Sequence, residues 1–141
     1  MKKTESLYVV IAGCGRIGSI VATSLSVSGS NVVVIDTDET ALENLPEEFT
    51  GFKINGDVTE ISVLREARLD KADVLVALTG DDNTNFMVST VAKRFFGVKR
   101  VIARVNDPSN EDIFKEFDID IVSPTRLTAM SILRELGVRE T

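Results

Sequence analysis

A glycine-rich turn near the amino terminus constrains the fold of this 141-residue chain more than any other feature. Residues 13–18 read GCGRIG and fit the pattern G-x-G-x-x-G, between an apolar run and an amphipathic stretch. In this setting the first glycine permits a tight turn, the second lets backbone amides approach phosphate oxygens, and the third brings helix and strand together. We interpret the segment as a phosphate-binding turn; the alternative is that its glycines serve only the turn itself.

Short apolar runs recur along the chain and alternate with amphipathic stretches, which is typical of repeated βα units. The runs lie at residues 7–12, 32–35, 52–54, 74–78, 101–105 and 119–122. The first, second and fourth are continuous, as expected for strands buried on both faces of a parallel sheet, whereas the weaker third and sixth suit sheet edges. We therefore predict an α/β fold: a Rossmann-like, doubly wound parallel sheet of six strands in the order 3-2-1-4-5-6, with helices on both faces.

Helix boundaries agree with this periodicity. Gly29 and Gly97 follow two amphipathic stretches, where a left-handed residue ends a helix. Pro108 and Pro124 stand directly after Asp107 and Ser123, as proline does in the first turn of a helix.

We expect one nucleotide-binding domain over residues 1–141, with an N-terminal tail at 1–6 and a terminal helix at 124–136. An apolar stripe on that helix, formed by Ala129, Ile132, Leu133 and Leu136, could pack on its own sheet or on a second subunit.

Composition excludes several classes of function. The chain has no histidine and one cysteine, which excludes a Ser-His-Asp triad, a histidine-ligated metal and an intrachain disulfide. Its formal net charge of −6 disfavours nucleic acid and anionic lipid as partners. Neither a signal peptide nor an apolar run long enough to insert into a membrane is evident, so we expect a cytoplasmic protein.

Asp36 is the second element of the predicted nucleotide site. It ends the second apolar run, where a carboxylate accepts hydrogen bonds from the ribose hydroxyls of an adenosine. A phosphate on that ribose would meet the carboxylate at about 4 Å, a repulsion of about 4 kcal/mol, so NADP is disfavoured. Asp38 adds to this exclusion, although either aspartate could instead cap a helix.

Two other side chains of the turn, those of Arg16 and Cys14, could have functional roles. Arg16 could donate charge-assisted hydrogen bonds to phosphates, or it could be a solvated surface arginine. Cys14 could be a reactive thiol at a helix N-terminus, but a small turn residue is the interpretation we favour.

A set of short segments carries a family resemblance. These are VVIAGCGRIG at 9–18, VID at 34–36, NGDVT at 55–59, AD at 72–73, LT at 78–79, Asn85, and IARV at 102–105. On these segments the chain resembles the RCK/KTN (TrkA-N) family, cytosolic nucleotide-binding domains that regulate Trk and Ktr potassium uptake systems and some potassium channels.

The resemblance implies a domain that binds NAD(H) or ATP, ADP or AMP and gates a membrane potassium transporter or channel subunit without turning the nucleotide over. It would lie at the inner face of the cell membrane through that partner, as a homodimer or higher oligomer in which the terminal helix crosses to a neighbour. The implied binding residues are Gly13, Cys14, Gly15, Arg16, Ile17, Gly18, Asp36, Thr37, Asp57, Val58, Thr79 and Arg104. From the residues alone, Asp57 could equally cap a helix and Arg104 could equally form a structural ion pair.

The chain departs from the family pattern in two ways. Many relatives carry a glutamate, in some used for cation binding, where this chain has Thr125 after Pro124, so we expect no divalent cation there. Relatives also commonly continue into a second lobe, so the chain is either a one-lobe member or a first lobe.

Two other functions share parts of these motifs. The NAD-binding domain of an oxidoreductase would carry the same glycine turn, but this chain has no histidine and no Tyr-x-x-x-Lys. A phospho-receiver domain would place Asp57 and Thr79 correctly, but it needs an acidic pair after the first strand and a lysine after the fifth, where this chain has the glycine turn and Arg104.

Overall fold

The computed structural model describes residues 6–139 and contains one six-stranded sheet in the order β3-β2-β1-β4-β5-β6, with every neighbouring pair parallel. The strands are β1 (Tyr8–Ala12), β2 (Asn31–Asp36), β3 (Phe52–Asn55), β4 (Val74–Ala77), β5 (Arg100–Arg104) and β6 (Asp120–Val122). The predicted fold class, strand order and edge strands are confirmed, and the strand bounds differ from prediction by one residue at most ends.

Among residues 6–139, six α-helices connect or follow these strands. They are α1 (Arg16–Val27), α2 (Glu39–Glu43), α3 (Ile61–Glu66), α4 (Asp82–Arg94), α5 (Glu111–Glu116) and α6 (Pro124–Glu135), with 3₁₀ turns at Leu69–Lys71 and Pro108–Asn110. Gly29 and Gly97 have positive φ angles of 95° and 71°, and the side chains of Asp107 and Ser123 accept hydrogen bonds from the first turns that follow them. The predicted helix boundaries at these positions are confirmed.

The hydrophobic core forms a layer on each face of the sheet. On one face, α1 and α2 bury residues such as Ala22 and Leu42 against β1 and β2. On the other face, α3, α4 and α5 bury residues such as Leu64, Val88 and Phe114. Because consecutive side chains of a strand point to opposite faces, the central strands need apolar residues at every position, which explains their continuous apolar runs.

Helix α6 differs from the other long helices because none of its residues is buried. It is attached at its first turn: Arg126 Nε donates to Glu111 Oε2 at 2.9 Å, and the Thr125 hydroxyl donates to the Asn106 carbonyl at 2.9 Å. The alternative in which its apolar stripe packs on its own sheet is therefore wrong; Ile132 is 56% and Leu136 70% exposed.

Two expectations concern the ends of the chain and the membrane. The predicted tail at residues 1–6 lies outside the described residues except for Ser6, whose hydroxyl donates to the Gly29 carbonyl at 3.0 Å. Within residues 6–139, every helix is too short or too polar to cross a membrane.

Candidate nucleotide-binding crevice

The carboxyl ends of the parallel strands border a crevice of about 610 Å³ at the point where the strand order reverses between β1 and β4. Volumes of about 300–1,000 Å³ are usual for small-molecule sites, and such switch points are where open α/β sheets bind ligands. The crevice is lined by Gly13, Gly15, Ile35, Asp36, Thr37, Gly56, Asp57, Val58, Thr59, Leu78, Thr79, Gly80, Asp81, Thr84 and Arg104.

The glycine turn is tied to the strands on both sides. Gly13 has a φ of 113°, and a Cβ there would lie 2.8 Å from the Leu78 carbonyl. A Cβ at Gly18 would overlap the carbonyl oxygen of Gly13, whereas a Cβ at Gly15 would meet no atom within 4 Å. The first and third glycines are therefore required for packing, while the second borders the open crevice at the N-terminus of α1, whose unpaired amides favour an anion.

Asp36 connects the turn to the end of β2. Its Oδ2 accepts a hydrogen bond from the Cys14 backbone N–H at 2.7 Å, and its Oδ1 accepts one from the Asp38 N–H at 2.8 Å. Each carboxylate oxygen has two lone-pair sites, so one site on each remains for a ribose hydroxyl. Asp38 itself caps α2, since its side chain accepts from the Thr40 N–H.

The remaining turn residues do not line the crevice. The Cys14 side chain is 3% exposed and packs on the α1 and α2 side of the sheet. Burial, with the neighbouring Asp36 charge, raises the pKa of the Cys14 thiol, so the favoured interpretation as a small turn residue fits and a reactive thiolate does not. Arg16 and Ile17 are exposed in the first turn of α1, and Gly18 is a buried residue of the same helix.

The loop after β3 brings Asp57 and Val58 to the crevice in different ways. Asp57 Oδ1 accepts hydrogen bonds from the Thr59 backbone N–H and hydroxyl, at 2.8 and 2.7 Å, and these bonds lower the pKa of the Asp57 carboxyl. The residue that precedes α3 is Glu60, so Asp57 shapes its own loop rather than capping that helix. The Val58 side chain belongs to the core, so this residue borders the crevice mainly through its backbone.

Thr79 follows β4 and is held by Asn85 of α4. The Thr79 N–H and hydroxyl both donate to Asn85 Oδ1, at 3.0 and 2.6 Å. The Asn85 amide in turn donates to the carbonyls of Thr79 and Arg104, at 3.0 and 2.9 Å. Asn85 is fully buried, and we did not assign it a role from the sequence.

Arg104 ends β5 and faces the same crevice. Its Nε donates to Asn106 Oδ1 at 2.8 Å, and the Asn106 amide donates to the Gly80 carbonyl at 3.1 Å. Within the described part of the chain this contact is to an amide, so the structural ion pair considered from the sequence is not formed. Among residues 6–139 no carboxylate contacts the guanidinium, so it could pair with an anionic ligand.

Asp82 supports the loop that carries these groups. Its carboxylate accepts hydrogen bonds from the backbone amides of Asn106 and Asp107 and from the Asn110 side chain. Burial raises the pKa of Asp82, but these hydrogen bonds and the Arg104 charge outweigh it, so the pKa is lowered and the carboxylate is ionised near neutral pH.

The sequence analysis did not predict several residues that line the crevice. Asp81 and Thr84 stand at the start of α4 in the D-x-x-T spacing of a helix N-terminus, so this pair was visible as a cap but not as a part of the site. Gly56, Thr59 and Gly80 follow β3 and β4, and their position at the sheet edge was the available signal.

Comparison with known proteins identifies relatives. Residues 9–124 match the family described as the TrkA-N domain. A Trk system potassium uptake protein TrkA of Streptomyces coelicolor is 37% identical over 130 residues, covering 92% of this chain and 58% of the relative. A TrkA homolog of Methanothermobacter thermautotrophicus is 40% identical over 134 residues, covering 94% and 61%. The chain thus spans about three-fifths of the length of these relatives.

Solved structures share the fold. The TrkA-N domain of the Escherichia coli inner membrane protein ybaL superimposes with a TM-score of 0.83 at 22% identity, covering 94% of this chain and 98% of that one. The GsuK channel bound to NAD has a TM-score of 0.78 at 27% identity and covers 94% of this chain and 24% of that one. GsuK bound to ADP has a TM-score of 0.78 at 26% identity, covering 93% and 34%.

Proposed function

The chain belongs to the TrkA-N domain family, and from that membership we propose that it is a regulatory domain that binds NAD(H) or an adenine nucleotide, ATP, ADP or AMP, and gates a membrane potassium transporter or channel. The observation that carries the proposal is the glycine turn at the N-terminus of α1 with Asp36 hydrogen-bonded to it. The turn offers backbone amides to phosphates, and Asp36 offers lone pairs to a ribose.

The names of related proteins support the ligand class and the partner. The relatives are named as potassium uptake proteins, and GsuK was solved with NAD and with ADP. In our proposal the domain is not an enzyme, and it acts at the inner face of the membrane through its transporter or channel. Gating follows when a nucleotide binds one arrangement of subunits more tightly than another, since a ligand shifts an equilibrium only by its differential affinity.

The proposed binding contacts divide among the strand ends. The glycine turn holds phosphates, and Arg16, exposed at the start of α1 beside the crevice, reaches them with its side chain. Asp36 and Thr37 lie at the ribose, and Asp57 with Val58 borders the adenine. Thr79 and Arg104 contact the part of the ligand that extends toward β4 and β5. NADP is disfavoured because three carboxylates, those of Asp36, Asp57 and Asp81, line the crevice against one guanidinium.

Calorimetric titration of NAD, AMP and NADP into wild-type protein and an Asp36→Ala variant tests this assignment. We expect Asp36→Ala to weaken NAD and AMP alike by about tenfold, the loss of one hydrogen bond to a charged group. The ratio of the NAD affinity to the NADP affinity should also fall, because the carboxylate that repels the extra phosphate is gone. A variant that only loosened the turn would weaken both ligands and leave this ratio unchanged.

Asp38→Ala is the matched control. It removes the α2 cap two residues away but none of the groups that line the crevice, so the affinities for NAD and AMP should be unchanged. Wild-type protein that binds none of the three nucleotides would overturn the proposed function, and unchanged affinities in Asp36→Ala would remove Asp36 from the site.

A further inference from the structure

We propose that Asn85 is a positioning residue of the crevice, which fixes Thr79 and Arg104 so that the β4–β5 half holds the part of a dinucleotide beyond its adenosine monophosphate. This inference rests on the proposed function and adds a role to a residue that touches no ligand. Asn85 lies one helical turn after the Asp81 cap of α4, on the face of that helix that packs against the sheet.

The hydrogen bonds of Asn85 join two neighbouring strand ends. Its Oδ1 accepts the N–H and the hydroxyl of Thr79, and its Nδ2 donates to the carbonyls of Thr79 and Arg104, all four distances lying between 2.6 and 3.0 Å. Thr79 and Arg104 both line the crevice, on β4 and β5 respectively. One buried side chain thus sets the backbone at both positions.

All the hydrogen-bonding capacity of the Asn85 amide is used. A primary amide has two donor hydrogens and two acceptor lone pairs, and each has a partner here. Rotating the amide by 180° would set its NH₂ against the Thr79 N–H and its oxygen against two carbonyls. The side chain therefore has one orientation, and it holds the two strand ends in one relative position.

Packing alone does not call for an asparagine at this position. The neighbouring buried residues on the same face of α4 are Val88 and Ala92, and the fully buried Ser89 hydroxyl has no hydrogen-bond partner among residues 6–139. Burying an amide is costly unless it is hydrogen-bonded, and an apolar residue would pack against the sheet without that cost. The role that remains for the amide is to fix Thr79 and Arg104.

Because Asn85 contacts only one half of the crevice, its loss should affect the affinities for NAD and AMP differently. The β1–β2 half contains the glycine turn and Asp36, which suffice for the phosphate and ribose of AMP. The β4–β5 half contains Thr79, which adjoins the turn, and Arg104, which ends β5 two strands away from it. We expect a dinucleotide to extend to Arg104 and AMP to stop short of it. Loss of the Asn85 hydrogen bonds should therefore weaken the binding of NAD and leave the affinity for AMP nearly unchanged.

The test is calorimetric titration of NAD and AMP into wild-type protein and the variants Asn85→Asp and Asn85→Ala, with a thermal melt of each. Asn85→Asp keeps the shape and the acceptor but removes both donors, so it serves if Asn85→Ala does not fold. We expect either variant to weaken NAD about tenfold and AMP by less than about twofold. Ser89→Ala, on the same buried face one turn further on, is the matched control and should change neither affinity.

Equal weakening of NAD and AMP would mean that Asn85 only stabilises the fold, and an unchanged NAD affinity in a folded variant would mean that it positions nothing; either result overturns the inference. If wild-type protein binds NAD no more tightly than AMP, the β4–β5 half makes no contact and the inference fails while the proposed function stands. If wild-type protein binds neither, the proposed function itself fails.

Discussion

The second and third glycines of the turn differ in what a methyl group would meet. At Gly18 it would overlap a backbone oxygen of Gly13, which no side-chain rotation can relieve. At Gly15 it would meet no atom within 4 Å, but it would enter the crevice at the N-terminus of α1, where we propose that phosphate oxygens approach the amides. The two positions therefore separate a packing requirement from a binding requirement.

We predict that alanine lowers the stability of the fold at Gly18 and the affinity for nucleotides at Gly15. Gly18→Ala should lower the free energy of unfolding by about 1–3 kcal/mol, as overpacking does. Gly15→Ala should change it by less than about 0.5 kcal/mol, yet weaken NAD and AMP by about tenfold or more. Urea denaturation and calorimetric titration measure the two quantities, and each variant is the control for the other. A Gly15→Ala protein with full nucleotide affinity would contradict phosphate binding at the turn.

Among the elements, α4 begins at the crevice: its capping residue, Asp81, also lines the crevice. Asp81 Oδ2 accepts hydrogen bonds from the Thr84 hydroxyl and backbone N–H, at 2.6 and 2.9 Å. These bonds lower the pKa of the Asp81 carboxyl, because they favour its charged form. A carboxyl whose pKa is lower in the folded state stabilises the protein above its unfolded-state pKa of about 3.9. That stabilisation is lost as the pH falls through the lower, folded-state value.

Asp81→Asn should therefore reduce the loss of stability on acidification. Asparagine caps helices about as well as aspartate but does not titrate, so the decrease in melting temperature between pH 5 and about pH 3 should be smaller than in the wild type. Thr84→Ala removes the hydroxyl donor that lowers the Asp81 pKa most and should reduce the decrease in part. Identical acid profiles for wild type and Asp81→Asn would exclude this cap as a source of the pH dependence.

At the scale of the whole molecule, α6 is the element that the chain leaves uncovered. Ile132 and Leu136 are more than half exposed, and they adjoin Leu133, which is 36% exposed, on one stripe. Covering such a stripe with a second copy of the helix would remove apolar surface from water at about 25 cal/mol per Å². We therefore predict a homodimer with α6 at its interface.

Native mass spectrometry measures the subunit count and any retained nucleotide in one experiment. The wild type should be dimeric, and a double Ile132→Glu, Leu136→Glu variant should be monomeric with an unchanged far-ultraviolet circular dichroism spectrum, since neither side chain contributes to the core. Ser131→Glu, on the opposite side of α6, is the matched control and should stay dimeric. A monomeric wild type, or dissociation by Ser131→Glu, would exclude this interface.

The sequence by itself determined the sheet and the glycine turn, because both depend on local rules. Strands buried on both faces need continuous apolar runs, and helix ends need particular caps. A position with positive φ, such as that of Gly13, favours glycine. The position of Asp36 beside the turn followed as well, since the carboxyl ends of neighbouring parallel strands lie at one edge of a sheet.

Only the tertiary structure decided which neighbours of these residues reach the crevice. Cys14 stands inside the turn, but its side chain packs in the core. Asn85 matches the family pattern, but the sequence gives it no role, and only the structure shows that it hydrogen-bonds to two strand ends. Arg104 meets Asn106 rather than a carboxylate, and α6 leaves the sheet instead of covering it. Side-chain direction and contacts between distant segments depend on how the helices pack on the sheet, and no local pattern of residues specifies that packing.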